Sequence, residues 1–125
     1  MPRVKRSESG GFLLPINNAE ITRVRFDVSG AELSLNWDSA ELTIGSETFA
    51  SLRLLWPGVA QWFSLIGRRV SRAEASESGD LDLDIDDGRK LRIEHHPKYE
   101  AWQFTDKEGA IVVSVPGGDI TYWDD

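Results

Sequence analysis

Apolar and polar side chains alternate in short runs within two stretches of the chain, residues 21–45 and 70–94. In the first stretch, apolar residues alternate with polar ones over 24–28, over 33–37 and again over 42–44. Period-2 runs separated by short polar turns are typical of half-buried antiparallel strands. Each stretch therefore predicts a three-stranded meander.

The two stretches also resemble each other. Ile21-Thr22-Arg23 aligns with Val70-Ser71-Arg72, and Ser29-Gly30 aligns with Ser78-Gly79 at the same offset. The offset changes by a single residue in the turns, where insertions are tolerated. Two copies of one meander are therefore a hypothesis, and the alternative is that any two amphipathic meanders look alike.

Residues 49–66 break the alternation, and Pro57-Gly58 divides them. Four apolar residues after this break have the spacing of one helix face, and they are Val59, Trp62, Phe63 and Ile66. With Pro57 near its start and Gly67 beyond its end, this spacing predicts a short helix near 58–66. Residues 49–56 are interpreted as strand or extended chain.

Three further runs, at 100–104, 110–115 and 120–123, predict three more strands, which brings the total to about nine. The expected fold is mainly β, with antiparallel meanders forming a sandwich or open barrel that carries the one short helix. Residues 1–11 are polar and end in Gly10-Gly11, so we expect a flexible N-terminal tail followed by a single domain over 12–125.

The net charge of the chain limits the kinds of partner that it can bind. The chain of 125 residues has a formal net charge of −7, and three of its 14 basic residues lie among the first six positions. An acidic folded body repels nucleic acid and anionic membrane surfaces. The chain has no cysteine, no apolar stretch long enough for a membrane span and no signal-peptide pattern. We therefore expect a cytoplasmic protein that does not bind nucleic acid or membranes.

The most conspicuous motif is Gly79–Gly88, which holds five aspartates. A hairpin register explains most of them, because it sets Asp84 opposite Lys90 and Asp82 opposite Arg92, with the leucines on the other face. In this register the stripe is the solvated face of a strand.

Three aspartates at the ends of the stripe then lack an assigned basic partner, namely Asp80, Asp86 and Asp87. A calcium loop anchored on Gly88 would place Leu83 and Ile85 at its first two ligand positions, so no metal site is predicted. If the stripe binds anything, we expect its ends to do so.

No catalytic motif is present. The sequence lacks a Gly-x-Ser-x-Gly elbow, and the adjacent His95 and His96 would point to opposite faces of a strand. We therefore predict neither enzymatic activity nor a cofactor. The alternative of a different class is a β-barrel that binds a small ligand or acts weakly as an enzyme, with a polar pocket near Arg68, Arg69 and His95.

The C-terminal half carries a recognisable series of motifs: Tyr99-Glu100-Ala101-Trp102, Val112-Val113, Pro116-Gly117-Gly118 and a final Trp123. Over about residues 60–123 the chain resembles a family of small bacterial domains of unknown function. That family is similar to immunity proteins encoded beside secreted bacterial toxins. The resemblance implies a protein partner and provides no catalytic residue to transfer.

Together these observations favour a non-catalytic protein-binding module, most concretely a cytosolic immunity protein that blocks a basic toxin domain with an acidic surface. The candidate partner-binding residues are Asp80, Asp86, Asp87, Glu94, Tyr99 and Glu100. A structural or oligomerisation domain is a further alternative, and the sequence does not set the oligomeric state.

Overall fold

The computed structural model describes residues 3–16 and 18–124. Within these ranges the chain forms eleven strands and two helices. In chain order they are β1 (Lys5–Arg6), β2 (Phe12–Leu13), β3 (Ala19–Asp27), β4 (Gly30–Leu35), β5 (Ala40–Gly45), α1 (Ser46–Leu52), α2 (Val59–Phe63), β6 (Arg69–Ala75), β7 (Leu81–Ile85), β8 (Lys90–Ile93), β9 (Trp102–Asp106), β10 (Ile111–Val115) and β11 (Asp119–Trp123).

All the strands pair with antiparallel neighbours in one curled sheet, a half-barrel, which confirms the predicted mainly β class. The main path runs β6-β3-β4-β5-β9-β10-β11. Near its C-terminal end β6 also pairs with β2, and β2 pairs with β1. On its other side β6 pairs with β7, and β7 with β8. Neither helix in the described ranges is long and apolar enough to cross a membrane.

The two alternating stretches fold into matching meanders, β3-β4-β5 and β6-β7-β8. The register shifts at Thr22 in β3 and at Ser71 in β6, and each hydroxyl donates to a carbonyl of the next strand at 3.2 Å. The meanders meet where Glu20 pairs with Arg69, which are equivalent positions in the sequence alignment. This is the geometry of an approximate two-fold relation.

The concave face of the sheet holds the core, and the helices cover it. Trp62 and Leu65 are buried there, and Trp62 packs against Phe26 and Phe49 with ring centroids 6.3 and 5.2 Å away. The predicted helix near 58–66 is confirmed as α2. Its expected apolar face is wrong in part, because Val59, Phe63 and Ile66 are close to half exposed, while Leu65 is buried in their place.

The expectation of extended chain over 49–56 is also wrong, because α1 includes residues 49–52. Only two residues of this helix are buried, Thr48 and Leu52, which lie one turn apart on the same face. So narrow a buried stripe produces little apolar periodicity in the sequence.

The structure differs from the predicted flexible tail over residues 3–11. Lys5–Arg6 pairs with Phe12–Leu13, and Val4 is buried in the core. Arg3 donates to both carboxylate oxygens of Asp106 at 2.9 and 3.0 Å. The polar composition of this segment therefore reflects ion pairs and a short edge pairing. Met1 and Pro2 lie outside the described residues.

Trp37 does not extend β4 as the alternation suggests. It lies in a turn in which three successive residues, Asn36, Trp37 and Asp38, have positive φ angles. The side chain of Trp37 is 79% exposed as a result. Asn36 holds the turn through its carboxamide oxygen, which accepts the backbone N–H of Glu20 at 2.9 Å.

The two ends of the curled sheet are joined at Gly79. Its carbonyl accepts the indole N–H of Trp102 at 2.9 Å and the hydroxyl of Ser114 at 2.8 Å, and both side chains are buried. A further bond connects the Gly117 N–H to the His96 carbonyl at 3.0 Å. These contacts tie the second meander to the β9-β10-β11 strands.

This closure can be tested with two glycines of similar backbone conformation. Gly79 and Gly88 have φ angles of +92° and +94°, so alanine strains both by about 1–2 kcal/mol. A Cβ at Gly79 would also lie 3.0 Å from the Asp119 carbonyl oxygen, whereas one at Gly88 meets nothing within 4 Å. We expect Gly79→Ala to lower the free energy of unfolding in urea by about 1–3 kcal/mol more than Gly88→Ala. Equal losses would contradict the role of this contact.

Candidate functional site

The aspartate stripe folds as the predicted hairpin. Asp84 faces Lys90 and Asp82 faces Arg92, and the ion pairs between them measure 3.0 and 2.8 Å. The register is confirmed, and two of the five aspartates are neutralised on the outer face of the sheet. Exposed pairs of this kind contribute about 0.2–1 kcal/mol each, so their main effect is to reduce the local negative charge.

Asp80 has the basic partners that the sequence did not assign to it. Its side chain is 12% exposed, and it accepts hydrogen bonds from the backbone N–H and ring Nδ1 of His95, both at 2.8 Å. Arg92 donates to its other oxygen at 3.0 Å. Asp80 is therefore engaged within the fold and ties the end of β8 to the start of β7.

The surroundings of Asp80 decide its pKa. Burial alone would raise the pKa, but the two hydrogen bonds from His95 and the positive charge of Arg92 outweigh it and hold the pKa below its ordinary value. The carboxylate is thus kept charged at neutral pH.

The other end of the stripe is divided. Asp87 forms ion pairs with Arg89 at 2.7 Å and with Arg68 at 3.7 Å, and hydrogen bonds from Arg89 lower its pKa. Asp86 is exposed, and no cation lies within ion-pair distance of its carboxylate among the described residues. Of the three aspartates left without an assigned partner, only Asp86 remains so.

The remaining predicted residues do not join this end of the hairpin. Tyr99 is exposed and its ring lies 5.0 Å from that of His96. Glu94 borders a cleft beside α1, and Glu100 borders a different groove on the outer face of the sheet. The six predicted residues therefore do not form one site.

The basic and histidine residues proposed for a ligand pocket are also engaged separately. Arg68 pairs with Asp87, Arg69 lies 3.8 Å from Glu20, and His95 bonds Asp80. The three side chains thus each contact a different carboxylate. No group of three or more metal-ligating side chains occurs in the described ranges.

Glu100 belongs to what we call the acidic groove, which has a volume of about 310 Å³. Asp27, Glu32 and Glu100 contribute its carboxylates. Glu32 pairs with Arg25 at 3.1 Å, while Asp27 and Glu100 have no cation within 4 Å among the described residues. The hydroxyl and the N–H of Ser29 both donate to Asp27 and lower its pKa, so this carboxylate stays charged.

A second depression, the apolar groove, lies between the β3–β4 turn and the two helices and has a volume of about 400 Å³. Its apolar lining consists mainly of Phe26, Phe49, Val59 and Trp62. The rings of Phe26 and Phe49 are stacked with centroids 5.3 Å apart. Asp27 lines this groove as well as the acidic groove, so the two depressions adjoin.

The segment around the apolar groove exposes further large apolar side chains. Leu54 is 84% exposed, Leu55 75% and Phe63 44%. Residues 49–73 contain no acidic residue and four arginines, of which Arg53 lines the groove. The apolar groove and the adjoining acidic groove can together accommodate an apolar side chain next to carboxylates, a combination suited to binding a ligand or partner.

Sequence reasoning missed this surface, because it interpreted residues 49–56 as strand or extended chain. The available signal was composition: a long stretch without acidic residues in an acidic chain, with Leu54-Leu55-Trp56 beside a Pro-Gly break. An apolar run that lies outside an alternating strand can belong to an exposed connection between two helices as well as to the core.

We expect the unfolding free energy of an Asp80→Asn variant to respond less to acid than that of the parent. The pKa of Asp80 is lower in the folded protein than in the unfolded chain. The stabilisation that its carboxylate contributes is therefore complete above the unfolded pKa of about 3.9, and it is lost as the pH falls through the folded pKa. The variant should be about 1–3 kcal/mol less stable at pH 7. Urea titrations at pH 7 and at lower pH should show that difference shrink.

The exposed Asp86 supplies the control for this experiment. Asp86→Asn should change the unfolding free energy by less than about 0.5 kcal/mol at either pH. If the difference in unfolding free energy between the parent and Asp80→Asn stays constant on acidification, that result would contradict the lowered pKa of Asp80.

Comparison with known proteins agrees with the predicted membership of a small domain family. No curated protein and no solved structure matches the chain significantly. The similarity to immunity proteins stays a prediction. Residues 12–124 match the model of a family of unknown function, DUF6188, and the chain belongs to that family.

Proposed function

We propose that the protein is a non-catalytic binding domain that docks a protein partner on the joined apolar and acidic grooves. A large apolar side chain of the partner would enter the apolar groove, and a neighbouring lysine or arginine would face Asp27 and Glu100. The observation that carries this proposal is the position of Asp27, which lines both grooves.

The apolar half supplies binding energy. Burying one large apolar side chain is worth about 1.5–3 kcal/mol, and aromatic floors of this kind are frequent at the centres of protein interfaces. The exposed leucines and Phe63 around the groove would be covered by the rest of such a partner. Clusters of exposed apolar side chains are characteristic of interaction sites.

The acidic half supplies selectivity. Among the described residues no cation lies within 4 Å of Asp27 or Glu100, and the hydrogen bonds from Ser29 keep Asp27 charged. A basic partner would be attracted at long range by the net charge of −7 and oriented at short range by these two carboxylates. Association should consequently weaken as salt increases.

The specific form of the proposal is an immunity protein whose partner is a basic toxin domain. This form rests on the family resemblance and on the charge of the chain. In this form the two grooves supply most of the attraction for the basic toxin domain. The aspartate hairpin supplies little of it, because most of its carboxylates are paired.

Selection of random peptides displayed on phage against the purified protein tests the proposal without a known partner. We expect enriched sequences in which an aromatic or leucine residue lies next to lysine or arginine. Val59→Glu should lower the affinity of a selected peptide at least about tenfold, because it places a charge in the apolar groove. Glu100→Lys should weaken the peptide comparably and reduce the preference for basic residues.

Two matched substitutions at the far ends of β4 and β5 serve as controls. Trp37→Glu replaces an exposed apolar residue outside the grooves. Glu41→Lys reverses the charge of an acidic residue that has no ion pair among the described residues. Both should leave affinity unchanged. The proposal fails if no motif is enriched, or if control and groove variants behave alike. The immunity form further requires that a toxin encoded by the neighbouring gene co-purifies with the parent and not with Val59→Glu.

A further inference from the structure

The turn of the aspartate hairpin contacts the short helix α2 through the side chain of Arg89. Its guanidinium donates to the hydroxyl of Ser64 at 2.7 Å, and to the carbonyls of Ser64 and Gln61 at 3.3 and 3.5 Å. Ser64 directly follows α2 and caps its C-terminal end. The last carbonyls of a helix lack partners within the helix, so Arg89 supplies a cap from a distant part of the chain.

The helix α2 needs this kind of support. It has only five residues, and so short a helix is not stable by itself in water. Val59–Phe63 contains no basic residue that could interact with its own C-terminal carbonyls. Burial of Trp62 and Leu65 holds α2 from the side of the core, and Arg89 holds its end from the side of the hairpin.

The hairpin turn in turn fixes the orientation of Arg89. Asp87 accepts the backbone N–H of Arg89 at 3.1 Å and its Nε–H at 2.9 Å, and its carboxylate lies 2.7 Å from a terminal nitrogen of the guanidinium. All three guanidinium nitrogens therefore have acceptors, either on Asp87 or at the end of α2. Because the guanidinium is planar and rigid, these contacts leave it one orientation.

A chain of contacts continues from Arg89 to the apolar groove. The guanidinium carbon lies 5.8 Å from the ring centroid of Trp56, and the rings of Trp56 and Trp62 are 5.1 Å apart. The Trp56 carbonyl also accepts the indole N–H of Trp62 at 2.9 Å. Trp62 and Val59 line the apolar groove, whereas Arg89 does not. A loss of Arg89 is therefore transmitted to the wall of the groove through packed side chains.

We propose that Arg89 is a positioning residue of the apolar groove. By holding Trp56 and the end of α2, it keeps Val59 and Trp62 in the arrangement that admits an apolar side chain of a partner. The inference rests on the proposed function and deepens it, because it gives the hairpin turn a role in binding without contact with the partner. Asp87 then acts through Arg89 rather than on the partner itself.

The test uses a fluorescently labelled peptide selected against the parent protein. Without Arg89 the groove is formed in a smaller fraction of the molecules, and the apparent affinity falls by that fraction. We expect Arg89→Ala to lower the affinity at least about tenfold, through a slower association rate, while the dissociation rate stays within about twofold of the parent. Stopped-flow anisotropy measures both rates.

The matched control is Arg92→Ala. Arg92 also lies in β8 and forms ion pairs with two carboxylates of the hairpin, Asp80 and Asp82, but among the described residues it makes no hydrogen bond to α2. This variant should bind the peptide within about threefold of the parent. If Arg89→Ala does not fold, Arg89→Lys replaces it, since lysine keeps the charge but lacks the planar fork, and it should show the same slower association.

A second measurement needs no peptide. NMR of the free protein follows hydrogen exchange at the Trp62 indole N–H, which is protected while Trp56 and α2 stay in place. Exchange should be at least about tenfold faster in Arg89→Ala than in the parent, and unchanged in Arg92→Ala. If no peptide is selected, the proposed function fails, and this exchange rate alone decides whether Arg89 positions the groove wall.

Three results would overturn the inference. The first is equal exchange of the Trp62 indole in Arg89→Ala and Arg92→Ala, and the second is equal affinity of these two variants for the peptide. The third is a loss of affinity in Arg89→Ala that arises from faster dissociation alone, because it would mean that Arg89 contacts the peptide directly.

Discussion

The carbonyl of Gly79 is the point on which the shape of the molecule depends. It accepts two buried donors from strands on the far side of the sheet, the indole of Trp102 and the hydroxyl of Ser114. A buried donor left without its acceptor costs about 1–3 kcal/mol, so the second meander is held against β9 and β10. Asp80, the next residue, extends the connection through His95 and Arg92. The stripe that resembled an acidic binding motif thus begins with a structural anchor.

The approximate two-fold relation between the meanders is broken by the strands that follow. Both meanders carry the same bulge and the same hydroxyl bond to the next strand, at Thr22 and Ser71. The three C-terminal strands extend the first meander only, through β5. The edge of β8 is therefore left open by topology rather than by any difference in its own pattern. The apolar groove lies beside α1, which fills the space after β5.

Much of the fold could be predicted from local pattern. Alternation located the long strands, and charge pairing fixed the hairpin register around Asp84 and Lys90, because one slip would have exposed the leucines. Trp37 was misplaced, since no rule of alternation anticipates three successive positive φ angles. The helix α1 was missed because only Thr48 and Leu52 of its seven residues are buried.

The candidate surfaces were beyond sequence reasoning for a different reason. Asp27 and Glu100 are far apart in the chain and share a groove only after β5 pairs with β9. Whether an acidic residue is neutralised is likewise a tertiary property. Asp80 and Asp86 occupy the two ends of one motif, yet only Asp80 acquires partners, because the pairing of β7 with β8 sets Leu81 opposite Ile93 and so brings Arg92 and His95 to it.

Amide hydrogen exchange of the free protein, followed residue by residue by NMR, tests the account most directly. It predicts slow exchange at the Trp102 indole N–H, and in β8 slow exchange at Leu91 and Ile93 alternating with fast exchange at Lys90 and Arg92. The equivalent Thr43 amide in β5 should be protected. Fast exchange of the Trp102 indole, or protection of Arg92 equal to that of Thr43, would contradict a curled sheet that is tied at Gly79 and whose β8 edge is unpaired among the described residues.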